Sequence, residues 1–115
     1  MAFSEIELKR IDATVGDLCR RMTMPEHVDQ LRFVYDIDGH AVSLMEERPP
    51  WDGSPGAWTR HGVARFPYLR SRGHWLLYWM RADLKWHRYD PALATADLKQ
   101  LVRVVEDDEY GAFFG

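Results

Sequence analysis

The stretch HWLLYWMRADLKWHRYDP, His74 to Pro91, decides the fold, because five of its residues are Trp or Tyr and three are Arg or Lys. Aromatic residues at this density favour strands. Trp75 to Arg81 is apolar on both faces, which suits a central strand covered on both sides or one with an aromatic face exposed for use. Trp86 to Tyr89 returns after a connection through Ala82 to Lys85, and Asp90 with Pro91 ends the sheet. A four-residue connection puts Arg81 opposite Trp86 and Trp79 opposite Arg88. Those four side chains then share one face, with Tyr78, Met80, His87 and Tyr89 on the other. A three-residue loop changes the pairing and breaks this grouping.

Working outward, Ser71 to Gly73 turns the chain back to a strand over Val63 to Arg70, where Pro67 implies an edge or a bulge. WDGSPGAWTRHG, residues 51–62, is a long loop rich in Gly, Pro and small polar types. Before it, Phe33 to Ile37 and Ala41 to Met45 form a hairpin around Asp38-Gly39. Pro49 and Pro50 stop its second strand. Ser4 and Glu7 make a capping box for a first helix whose apolar stripe is Leu8, Ile11, Val15, Leu18 and Met22. Pro25 opens a short second helix to about Leu31, with Val28 and Leu31 inward. Thr95 caps the last helix and Asp97 complements its positive end. Leu98, Leu101, Val102 and Val105 form its buried stripe, and it finishes near Glu106. The predicted architecture is a single α+β domain over residues 1–115. An antiparallel sheet of four to five strands is flanked by the N-terminal helix, the short second helix and the C-terminal helix.

Composition sets limits. The 115 residues are 46% hydrophobic and 29% charged, the balance of a globular chain with one core. No apolar run reaches the roughly 18 to 20 residues of a membrane span. The opening MAFSEIELKR lacks the basic and then apolar layout of a secretory signal, so a cytoplasmic protein is expected. Cys19 is the only cysteine, which excludes an internal disulfide and a cysteine-based metal site. Its apolar neighbours make it a small buried hydrophobe rather than a nucleophile. The net charge of -3 hides a division: residues 56–89 carry seven Arg or Lys against Asp83 alone, a local +6 that leaves -9 elsewhere. Such a layout supports either a basic face for an anionic partner or pairing with the chain's own acidic helices.

The segments LKRIDATV, EERPPW, YWMRADLKWHRYDP and VEDDEYGAFFG together resemble a bacterial family, domain of unknown function 3024 (DUF3024), over nearly the full length. The block from Tyr78 to Pro91 is the most specific part. The resemblance carries over no catalytic residue, substrate or cofactor.

Alternating Arg and Trp on a strand face supports cation-π contacts, and such a face also receives unpaired bases by stacking and phosphates by guanidinium. The leading functional reading is therefore a non-catalytic binding module for nucleic acid or another polyanion, using Arg70, Arg72, Arg81, Lys85, Trp86 and Arg88. Against it stands a structural reading, in which the tryptophans are core and Arg stems cover them. A protein-interaction module is an alternative: the aromatic tail, residues 107–115, or the loop with Trp51 and Trp58 would dock a partner chain or a second copy, unless the tail packs across the domain's own sheet. A metal-dependent nuclease is another, with Asp83, Lys85 and Glu46 or Glu47 around a magnesium ion. The five histidines show no paired spacing of a metal site, and neither a phosphate loop nor a serine elbow is present. No cofactor and no catalytic residue is assigned.

Overall fold

A computed structural model describes residues 3–115. Ser4 caps α1 (Glu5–Ile11): its hydroxyl accepts from the Glu7 amide at 3.2 Å while the Glu7 carboxylate accepts from the Ser4 amide at 2.8 Å. The helix then widens into one π turn, Asp12–Gly16, before continuing as α2 (Asp17–Met22). At the widening, the Thr14 hydroxyl donates back to the carbonyls of Arg10 and Ile11, the local competition that bends helices. Ile11, Val15 and Leu18 are fully buried, as the apolar stripe predicts, whereas Leu8 is exposed. Cys19 is buried, and burial pushes its thiol up to about 12, so it is neutral at physiological pH.

The second helix is shorter than expected. Only a 3-10 turn forms, Pro25–His27, and Val28 is exposed rather than inward. A segment this short fixes several dihedrals for few hydrogen bonds, so a full helix does not nucleate.

Six antiparallel strands follow: β1 (Arg32–Asp38), β2 (Ala41–Arg48), β3 (Thr59–Leu69), β4 (His74–Trp75), β5 (Tyr78–Met80) and β6 (Trp86–Arg88). Their spatial order is β1-β2-β3-β5-β6, with β4 beside β3. Asp38 pairs with Ala41, so the hairpin turn is Gly39-His40, one residue later than expected, with Gly39 at φ +60°. Glycine at the first central position suits the primed turn that matches strand twist. β3 begins at Thr59, four residues before the expected Val63, and a bulge shifts its register against Leu44 and Met45. Pro67 is tolerated because β3 pairs with β5 at Ala64 and Arg65 and with β4 at Tyr68 and Leu69, leaving Pro67 between the two ladders. The expected strand over Trp75 to Arg81 is accordingly divided into β4 and β5.

α3 (Leu98–Asp107) is capped by Asp97, whose carboxylate accepts from the Lys99 amide at 3.1 Å. Thr95 instead accepts from the Asp97 amide and contacts Gln100. Leu98, Leu101, Val102 and Val105 join Ile11, Val15, Leu18, Val42, Leu44, Phe66 and Leu77 in one core. No helix among the described residues is long and apolar enough to cross a membrane.

Candidate functional site

The pleat separates the sheet residues into two sets. Val42, Leu44, Ala64, Phe66, Leu77 and Tyr89 belong to the core with the helices. The alternate residues face away from it, and the register aligns them in rows. Arg32, Glu47 and Arg60 form one row, Val34, Met45 and Gly62 a second, and Asp36, Ser43, Arg65, Tyr78 and Arg88 a third.

The β5-β6 connection decides which candidates join them. Tyr78 pairs with Arg88, Trp79 with His87 and Met80 with Trp86. Arg81 donates its amide to the Lys85 carbonyl at 3.2 Å, and Leu84, at φ +62°, completes a three-residue loop of Ala82, Asp83 and Leu84. The grouping of Arg81, Trp86, Trp79 and Arg88 on one face is therefore broken. Trp86 and Arg88 lie on the outward face with Tyr78 and Met80. Trp79 lies on the core side, where its ring meets Tyr89 edge-on at 6.4 Å, and the Arg81 guanidinium sits 5.5 Å from the Trp79 ring. Lys85, opposite Arg81 at the base of the loop, is exposed. Arg70 and Arg72 belong to the distant β3-β4 turn. There Arg70 pairs with Glu7 at 3.1 Å and lies over the Tyr68 ring, while Arg72 is exposed.

The outward face holds two features that the sequence reading did not assemble. Trp86 lies directly against Gly62, where an added Cβ would meet its ring at 2.7 Å. Beside it opens a cleft of about 450 Å³ with Arg60, Met45, Met80 and Leu84 among its walls. Further along, Glu47 is buried between two cations: Arg60 Nε at 2.7 Å and Arg32 Nε at 2.9 Å. These hydrogen bonds, that of Arg60 first, hold its carboxyl below the usual range. The Arg32 guanidinium also stacks 3.9 Å above the Trp58 ring. Arg65 reaches the Ser43 hydroxyl at 2.9 Å and Asp38 at 3.6 Å. Arg60 and Tyr78 thus belong to the site, and Arg60 was hidden because residues 59–62 resemble loop rather than strand.

The carboxylates of the nuclease alternative are engaged separately. Both oxygens of Glu47 face arginines. Asp83 accepts from the Lys85 amide at 3.0 Å and meets His87 Nε2 at 2.8 Å, which together lower its pKa. No group of three or more His, Cys, Asp or Glu among the described residues is arranged to hold a metal ion.

The tail also turns inward. Asp108, in the left-handed conformation, ends α3 and accepts from the amides of Phe113 and Phe114. Phe113 packs on Tyr89 and Phe114 on Phe33, leaving Tyr110 as the exposed aromatic, 70% accessible.

A family model matches residues 3–115, essentially the whole chain. The chain belongs to the DUF3024 family. Its description, a domain of unknown function, assigns this DUF3024 chain no activity. No curated protein and no solved structure matches it.

Proposed function

We propose that the outward face of the sheet binds single-stranded nucleic acid, with an unpaired base in the cleft beside Trp86. The observation that carries this reading is the placement of Trp86 across bare glycine, next to an open cleft walled by Arg60, Asp36 and Leu84. A flat indole on an uncovered sheet is a stacking platform, and stacking accepts any base. Arg88, two residues from Trp86 on the same face of β6, is exposed and would meet phosphates, whereas Lys85 pairs with Arg81 across the hairpin and falls outside this face. Leu84 adds support: an apolar side chain, 66% exposed, is held at positive φ, and such local strain gathers at functional sites. The face mixes arginines with Asp36, Asp38 and Glu47, so stacking leads and the phosphate contribution is moderate.

Fluorescence anisotropy with labelled single-stranded DNA and RNA of mixed sequence tests the proposal. Saturable binding at about 50 mM salt is expected, weakening as salt rises. Trp86→Ala should reduce affinity by about tenfold, the scale of one lost stack. Arg72→Gln, far from the cleft, should leave it unchanged. Absence of binding at low salt, or equal affinity of Trp86→Ala and the parent protein, overturns the reading.

A second reading is supported by the β2-β3 loop, where Trp51 is 96% exposed. An outward tryptophan is a frequent interface anchor. Sedimentation velocity tests whether it joins two copies: a dimer abolished by Trp51→Ala supports this, and a monomer at all concentrations ends it.

A further inference from the structure

A separate cleft of about 460 Å³ lies between α1, the start of α3 and the β3-β4 strands. Its volume falls within the roughly 300 to 1,000 Å³ typical of small-molecule sites. Tyr68 and Trp75 line it on one side, their ring centroids 4.6 Å apart; Trp75 is buried and stacks on Phe3 at 5.5 Å, so Tyr68 offers the more open ring. Ala13 and Leu98 add further apolar surface.

The four charged lining residues divide sharply by sign. Both acids are engaged: Glu7 accepts from Arg70 and from the Ser4 amide, and Asp97 caps α3. Both bases, Arg10 on α1 and Lys99 on α3, have no ion-pair partner among the described residues. Asp97 keeps its negative charge while it caps α3, and Arg70 balances Glu7, so the cleft carries one positive charge beyond what its acids offset, over an apolar, aromatic wall. A ligand complementary to this needs a flat apolar body and one negative group.

We propose that this cleft binds a small planar aromatic carboxylate, with its ring on the Tyr68 and Trp75 side and its carboxylate between Arg10 and Lys99. The site is independent of the nucleic-acid face and uses none of its residues. A free aromatic acid suits it better than nucleic acid, because two cations over one small cleft suit one anionic group rather than a chain of phosphates.

Calorimetry with 2-naphthoate tests the proposal, using 2-naphthamide to remove the charge and acetate to remove the ring. Saturable binding of 2-naphthoate is expected, at least about tenfold tighter than either control, since hydrogen bonds to a charged group carry that scale of difference. The double variant Arg10→Gln/Lys99→Gln, both at the surface, should lose the preference for naphthoate over naphthamide. Amide resonances of Ala13 and Leu98 should shift on titration, and Trp86→Ala should bind naphthoate as the parent does. Lack of saturable binding, equal binding of naphthamide, or an unchanged preference in the double variant overturns the proposal.

Discussion

A Cβ on Gly62 would come within 2.7 Å of the Trp86 ring and 2.9 Å of Met80 Cε, closer than packed carbon atoms approach. Glycine permits this approach, because a Cβ would force the Trp86 ring or the Met80 methyl to shift, and the indole rests on backbone instead of on a side chain. Gly62→Ala should lift Trp86 from the sheet, cost about 1 to 2 kcal/mol as an overpacked site, and weaken nucleic-acid binding in parallel. Thermal unfolding measures the first effect. The Trp86 indole N–H resonance, assigned with Trp86→Phe, measures the displacement. An unmoved resonance together with an unchanged melting temperature would sink the argument. At this scale the sequence was partly legible. The capping box of Ser4 and Glu7 and the buried nature of Cys19 follow from local chemistry. The stacking of Trp86 on Gly62 does not, because they are 24 positions apart and meet only once the register is fixed.

Among the elements, register was the least legible. A three-residue loop with one left-handed residue ordinarily signals itself by glycine or asparagine. Here that residue is Leu84, which carries no such signal, so the expected pairing slipped by one and exchanged Arg81 and Trp79 for Tyr78 and Met80. Arg60 was hidden for a different reason: residues 51–62 have the Gly, Pro and small polar composition of a loop, although 59–62 belong to β3. The helices were clearer: their buried residues recur at three and four. The tail was legible as too apolar to stay in water, bound for its own domain or a partner, but the choice between them was not, since Asp108 closes it by accepting two amides that lie five and six residues ahead. Phe113, 8% exposed, should therefore act as core. Phe113→Ala is expected to cost about 3 kcal/mol, and Tyr110→Ala no more than about 0.5 kcal/mol. Urea unfolding of both variants compares them directly. Equal midpoints would show that the hook contributes nothing to stability.

For the molecule as a whole, the division of charge resolves into two uses. Arg70 pairs with Glu7 of α1, as the expected pairing with acidic helices has it, whereas Arg60 and Arg65 pair with Glu47 and Asp38 of the sheet itself. Arg72, Lys85 and Arg88 have no ion-pair partner among the described residues. Long-range pairs tie the helices to their surroundings: Arg21 of α2 meets Glu106 of α3, and Arg70 after β3 reaches Glu7 of α1. Glu7 reports on the second tie. The Arg70 hydrogen bond, followed by the Ser4 amide, lowers its pKa from 4.5 to about 2. Because the folded value lies below the unfolded one, its contribution is complete above pH 4.5 and disappears as pH falls through about 2. Glu7→Gln removes that dependence. The parent protein should therefore melt higher than Glu7→Gln at pH 6, and the gap should narrow progressively below pH 4.5. Other carboxylates held low, such as Glu47 and Asp12, lose their contributions in both proteins, so the difference isolates Glu7. A gap of constant size from pH 6 to pH 2.5 would mean that Glu7 acts through its cap geometry alone and that its charge does not join α1 to the sheet.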